Sequence, residues 1–214
     1  MSSPRRLVRN LVSSASVTAA SAASVIAIQA IVSKGYGSRM FGVYTLVLAI
    51  ARIMLAAADL GVDTFVYREV AQRPERTREW VDTALHLRVR LAVPGIAVGI
   101  LLFALLGPSS QLATAVVLLA DQTLGDASVL LFHVFVAQRD AHLQALLAVP
   151  SLAARVVGAL LVVRAGGDLV VLAAVLLACH VAQLGCTFLV ARARGWAGGP
   201  HAVHVRQLVR DAWP

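Results

Sequence analysis

The chain has 214 residues, 59% of them hydrophobic and 14% charged, with a mean hydropathy of +0.79. A soluble domain carries about 45–50% apolar and about 25% charged residues, so an ordinary soluble domain and a disordered chain are both excluded. At about 20 residues per crossing, the length allows about six or seven membrane helices and excludes a twelve-helix transporter within this chain. The formal charge of +8 comes from 19 basic and 11 acidic residues. The bases flank apolar runs, so they point to the bilayer and its anionic cytoplasmic leaflet rather than to nucleic acid.

The first apolar run, 11–32, follows Arg5, Arg6 and Arg9. It is longer than a secretion-signal core and further long runs follow it, so it reads as a first membrane helix. Ala15, Ala19 and Ala23 form a ridge of small residues on which another helix could pack closely. The second run, 43–66, carries Arg52 and Asp59. A charged stretch, 68–84, follows; Pro74 suits a helix start, and Glu75, Arg78, Glu79 and Asp82 are spaced for ion pairs along a helix. It reads as a helix entering the third span, with Trp80 at the headgroup level. The remaining spans are 86–106 (with Pro94 inside), 112–137 (Asp121, Asp126), 143–163 (Pro150, Arg155) and 169–190. Cys179 and Cys186 lie two helical turns apart in the last run, too far for a disulfide, and read as small packing residues. Gly195, Gly198, Gly199 and Pro200 then end the helix. Val205, Leu208, Val209 and Ala212 suggest a short amphipathic helix on the inner surface.

The expected fold is therefore an all-α integral membrane protein. Residues 1–194 form one six-helix lobe, and residues 195–214 form a cytoplasmic linker. With the N-terminus inside, the inner segments hold 14 arginines and the outer loops three bases, Lys34, Arg39 and Arg164. That asymmetry places both termini in the cytoplasm.

Charges at the centre of a membrane helix cost about 2.5–3.5 kcal/mol each on insertion scales, so the four residues Arg52, Asp121, Asp126 and Arg155 cost about 10–14 kcal/mol together. Such groups face a bundle interior or a watery cavity. These four and His180 lie near the midpoints of their spans, at the level where transporter binding sites are built. Spacing groups them into three stripes: Arg52, Asp59 and Asp63; Gln122, Asp126 and His133; His180, Gln183 and Thr187. Two readings follow. Either the arginines pair with Asp121 and Asp126 to hold the bundle, or Arg52, Arg155, Asp121, Asp126 and His180 line a cavity for an anionic hydrophilic cargo. Asp59, Asp126 and His133 are candidates for proton coupling, although hydrogen-bonded packing is the commoner use of a membrane histidine. No catalytic motif, metal-ligand spacing or cofactor-binding loop is present, so neither an enzyme nor a cofactor is expected.

Lys34-Gly35-Tyr36-Gly37-Ser38-Arg39-Met40-Phe41-Gly42-Val43-Tyr44 resembles the Arg-x-Leu-Gly-Pro-Glu-x-Phe-Gly-x-Tyr segment of Wzx-type polysaccharide flippases. Ala58-Asp59-Leu60-Gly61-Val62, Arg68-Glu69-Val70-Ala71 and Phe135-Val136-Ala137-Gln138-Arg139 are similar to further stretches of that family, in the same order. Tyr36, Ser38 and Arg39 depart from the first pattern. The resemblance implies the N-terminal six-helix lobe of a transporter in the multidrug/oligosaccharidyl-lipid/polysaccharide exporter superfamily, in a bacterial or archaeal plasma membrane. Its implied cargo is an undecaprenyl-diphosphate-linked oligosaccharide, an anionic glycan lipid to which Arg52 and Arg155 would present positive charge. The implied partner is a second six-helix lobe or a second copy, without which the chain is not a competent flippase. The alternatives are a truncated relic or scaffold subunit of a glycan-assembly complex, and a drug or small-cation exporter of the same superfamily.

Overall fold

The computed structural model describes residues 4–59 and 61–198, with the side chains of 4–9 and 11 left out. The linker helix expected at 205–212 and the side chains of Arg5, Arg6 and Arg9 lie outside the described residues. Among the described residues, six α-helices make up the regular structure, with two short 3-10 turns: α1 Pro4–Asp59, α2 Val62–Gln72, α3 Thr77–Leu106, α4 Leu112–Ala137, α5 Ala141–Arg164 and α6 Leu169–Ala193. Among the described residues, five helical stretches are long and apolar enough to cross a membrane: Val12–Asp59, Pro74–Leu106, Ser109–Ala137, Ala141–Arg164 and Leu169–Ala193.

The first two expected spans fall within α1. The expected connection at 33–42 is absent as a loop, because the chain is helical up to Gly37 and helical after it. Gly37 alone breaks the run, at φ 77° and ψ 176°. Only glycine tolerates that backbone region, so one residue does what ten were expected to do. The second expected span is also shorter than read. It stops at Asp59, and Gly61 at φ 81° redirects the chain into α2. The other spans match their apolar runs closely, and α3 runs from Thr77 through the charged stretch into the third span, starting behind a turn at Pro74–Arg76. Asp168 caps α6, its carboxylate accepting from Val171 N–H at 2.8 Å.

Buried apolar residues form two clusters. One joins Val17, Val62, Phe65, Val66, Val70, Trp80, Leu87, Leu130, Phe135, Ala148 and Ala191. The other joins Ile28, Val32, Val43, Tyr44, Val47, Ala51, Phe103, Leu118, Leu119, Ala159, Leu172 and Leu176. The chain order of these residues defines the path of α1. It leaves the first cluster at Val17, reaches the second at Ile28 and Val32, stays there through Ala51, and α2 re-enters the first at Val62. Asn10 donates to the Arg139 carbonyl at 2.9 Å, whereas Gly35 abuts Val163 at the far end of α5. The N-terminal arm of α1 thus runs alongside α5 in the same direction.

Trp80 is packed within the protein. It is 1% exposed, stands edge-on to Phe65 at 5.3 Å, and lies under the Arg76 guanidinium. The pairs expected around it form in part: Arg78 approaches Asp82 at 4.0 Å, while Glu79 takes a two-point bond from Arg76 at 2.7 and 2.8 Å. The segments expected to share one side meet there. Gln138 donates to Thr77, Arg194 pairs with Asp140 at 2.8 Å, and Arg78 donates to the Gly198 carbonyl. At the opposite end, Tyr36 donates to the Asp168 carbonyl at 3.2 Å.

Candidate functional site

Between the two apolar clusters lies a layer of charge. In α4, Asp121 and Asp126 fall between Leu119 of one cluster and Leu130 of the other. Arg155 falls between Ala148 and Ala159, His180 between Leu176 and Ala191, Arg88 between Leu87 and Phe103, and Asp59 between Ala51 and Val62. Lipid tails offer no hydrophobic drive for helices to associate, so packing and polar contacts at this level hold the bundle. The charges form two separate centres.

The first centre ties α4, α5 and α6 together. Asp121 is fully buried. Its Oδ1 lies 2.6 Å from His180 Nδ1, and its Oδ2 accepts from Gln122 Nε2 at 2.8 Å and from Arg155 Nη2 at 3.4 Å. Arg155 Nη1 lies 3.0 Å from His180 Nε2. A guanidinium nitrogen can only donate, so His180 Nε2 accepts. The proton of the neutral imidazole then sits on Nδ1 and is given to Asp121. The centre is an aspartate–histidine–arginine ring with its charges balanced. Gly125 makes room for it, since a Cβ there would stand 2.8 Å from His180 Cε1. Arg155 Nε has no partner.

The second centre is built on Arg88, which the sequence reading counted among the inner-surface arginines. Its guanidinium bonds Asp126 of α4 and Asp63 of α2, and reaches Asp59 at the end of α1 at 3.4 Å. His133 Nδ1 stands 3.5 Å from the second oxygen of Asp63, and the His133 ring faces Tyr67 edge-on. Asp59 and Asp63 flank Gly61, so the backbone turn there aims both carboxylates at one guanidinium. Asp63 N–H also donates to Asp59 Oδ1 at 3.3 Å. With its carboxylates ionised and His133 neutral, this centre carries a surplus of negative charge.

Six of the seven expected site residues have a place in these two centres. Asp121, Arg155 and His180 meet in the first centre; Asp59, Asp126 and His133 meet in the second. Arg52 joins neither: it is exposed and makes no ion pair among the described residues. Of the three stripes, the second divides, because Gln122 turns to Asp121 while Asp126 and His133 serve the Arg88 centre. In the third, Gln183 accepts from Ser151 at 2.6 Å, which adds a second polar tie between α5 and α6.

A cavity of about 520 Å³ opens beside the second centre. Its walls come from α1, α3, α4 and α6, with Val62 of α2, and are largely apolar, with Met54, Leu55, Ile96, Leu124 and Phe188 among them; Asp59, Arg88 and Asp126 supply its charged end.

No family model, curated protein or solved structure matches this chain.

The segments around Gly35–Gly37, Asp59 and Val70 have structural roles. Gly35 lets α1 approach Val163, Gly37 makes the break in α1, and Tyr36 fastens the break to the start of α6. Asp59 belongs to the Arg88 centre, and Val70 is fully buried.

Proposed function

We propose that the chain is one lobe of a membrane transporter that carries an anionic, lipid-linked oligosaccharide across the bilayer, with α1 on the side facing the cargo. The single observation that carries the reading is Arg52. It lies near the middle of the expected span 43–66, and among the described residues it is exposed and makes no ion pair. Arginine left against hydrocarbon at that depth costs about 2.5–3.5 kcal/mol on insertion scales. A face with water, an anion or a second polar lobe against it removes that cost.

The rest of that face supports the same reading. Exposed with Arg52 on the C-terminal arm of α1 are Gly42, Ala49 and Ala56, alongside the apolar Ile53; on its N-terminal arm Ala15, Ser16, Ala19 and Ala23 are exposed, alongside Val12, Val25 and Ile26. Small and hydroxylic side chains suit close approach of another helix or a hydrated glycan better than contact with lipid tails. A guanidinium among them offers two-point bonds to a diphosphate.

The reading takes α1 as two crossings. A straight helix over Val12–Asp59 would be about 70 Å long, more than twice a hydrocarbon core of about 30 Å. A fold-back at Gly37 gives six crossings in all. The basic segments then gather on the cytoplasmic side, with both termini there. The proposed membrane is a bacterial or archaeal plasma membrane, and the partner is a second lobe or a second copy covering the α1 face. Asp59, Asp126 and His133 of the Arg88 centre are the proposed coupling groups. Arg155, held by Asp121 and His180, positions the helices rather than touching cargo.

The test is export in the native host. Arg52→Ala is expected to lower surface polysaccharide at least tenfold with protein abundance unchanged, and Arg52→Lys to restore part of it. Normal export by folded Arg52→Ala protein would overturn the cargo role.

A further inference from the structure

The arginines at the end of the bundle where α3 begins and α6 finishes come from distant parts of the chain, and the fold divides them into two groups. Around the start of α3 they are matched by carboxylates. Arg73 pairs with Glu69, Arg76 with Glu79 and Arg78 with Asp82, and the charges of the exposed Arg68 and Glu75 offset each other. Arg90 stands two turns beyond Asp82 along α3. The second group has no such balance. Asn10 donates to the Arg139 carbonyl at 2.9 Å, which brings the first turns of α1, with Arg5, Arg6 and Arg9 on them, to the turn between α4 and α5. Arg194, just past α6, reaches the same turn and pairs with Asp140 at 2.8 Å. Arg192 lies in the last turn of α6. Arg139 and Arg192 are exposed, and neither makes an ion pair among the described residues. Arginines from three separate segments thus gather at one corner, where Asp140 is the carboxylate and His142 stands 4.0 Å from it.

We propose that this corner binds the phosphate head group of an anionic phospholipid, with the acyl chains lying along α1 and α5. Three features converge on that partner. The first is the surplus of positive charge: each basic residue at a membrane surface strengthens attraction to anionic lipid by about fivefold, and a guanidinium gives two-point bonds to phosphate oxygens. The second is the apolar surface that continues from the corner into the spans. Val12 on α1 and Leu146 on α5 are each within about two turns of it, 62% and 67% exposed. The third is Trp196, half-buried against Phe135 with the Arg194 guanidinium over its ring at 5.7 Å, an indole of the kind that sits at head-group level. The matched arginines at the start of α3 offer no comparable surplus, so the lipid is expected at the corner rather than evenly around this end of the bundle. Arg52 stands in the middle of its expected span, so this site is separate from the α1 face and does not rest on the glycan reading.

The test is native mass spectrometry of the purified full chain, titrated in detergent with cardiolipin or phosphatidylcholine. Wild-type protein is expected to bind cardiolipin saturably and at least tenfold more tightly than phosphatidylcholine. The double variant Arg139→Asn/Arg192→Gln is expected to weaken cardiolipin binding at least tenfold; asparagine suits the backbone of residue 139, which has φ 64°. Arg5→Gln/Arg6→Gln, on the first turns of α1, changes a different segment of the corner and is expected to weaken binding at least fivefold. Arg68→Gln/Arg73→Gln, among the matched arginines, and Arg52→Ala are each expected to stay within about twofold of wild type. Glycerol phosphate, the head group without its chains, is expected not to displace the lipid. Equal affinity for the two lipids in wild type, or affinity unchanged in both corner variants, would overturn the proposal. Equal weakening by Arg68→Gln/Arg73→Gln would overturn it in favour of diffuse attraction, and equal weakening by Arg52→Ala would move the lipid to the α1 face. Displacement by glycerol phosphate would also overturn it, leaving an anion site indifferent to lipid.

Discussion

Asp121 is the most stringent place to perturb the fold. It is fully buried and accepts from His180, Gln122 and Arg155, side chains of three helices. Asp121→Leu removes the acceptor and strands a guanidinium whose Nε already has no partner. Breaking one member of a buried ion pair costs about 3–5 kcal/mol, mostly because the other charge is left uncompensated. In a chain of this size each kcal/mol shifts the melting temperature by about 2–4 °C, so the single variant is expected to melt roughly 6–20 °C lower. Arg155→Met leaves the carboxylate with His180 and Gln122 and should cost less. The double variant Asp121→Leu/Arg155→Met removes both charges and should recover stability to within about 2 kcal/mol of wild type, because apolar replacement of a whole buried pair is often near neutral. The assay is thermal unfolding in nanodiscs, followed by tryptophan fluorescence, for which the fully packed Trp80 is a sensitive reporter. A double-mutant cycle should give a coupling energy of about 2–3 kcal/mol. Additive losses, or a wild-type melting temperature for Asp121→Leu, would refute the ring as the element joining α4, α5 and α6.

Two further outcomes follow from the backbone. Gly37→Ala places a Cβ at φ 77° and ψ 176°, a region nearly closed to other residues, and is expected to cost about 1–3 kcal/mol, read as a lowered melting temperature with no new steric contact, since nothing lies within 4 Å of the added atom. Single cysteines at Ser38 and at Arg139, in a background lacking Cys179 and Cys186, should label with an impermeant maleimide from opposite sides of the membrane. Labelling of both from one side would refute the fold-back of α1.

The sequence made the helices of the second half legible because their apolar runs are bounded by clear breaks. Leu112–Ala137 matches its run end for end, and Leu169–Ala193 differs only in its last turn. The first half was harder to read for physical reasons. Lys34 and Arg39 gave the connection after the first run a loop-like composition, yet only Gly37 leaves helical geometry there, and both bases stand on helix. Gly61 sits inside an apolar run, and no periodicity shows that its φ is positive. The type of Trp80 suggested a depth but not its packing, which buries it against Phe65 and Arg76.

The candidate site was legible in depth and only partly in partnership. Spacing grouped Asp126 with His133, which meet at the Arg88 centre. It did not reveal that Arg88 is the hub. Arg88 adjoins Arg90 and the charged stretch before it, so it reads as an inner-surface base. The signal that could have separated it is its immediate setting, with leucines at 85, 87 and 91, which marks a position already inside the apolar span. Arg52 is the converse case. Its depth was evident, but its face was set by how α1 packs, and that packing turns it outward.

The central claim, that the exposed face of α1 receives an anionic glycan lipid through Arg52, is tested most directly by native mass spectrometry of the purified chain with an undecaprenyl-diphosphate-linked saccharide. Saturable binding is expected for wild type and for Asp126→Asn, with at least tenfold weaker binding for Arg52→Ala and partial recovery in Arg52→Lys. Binding that is equal in wild type and Arg52→Ala, or absent in both, would contradict the claim.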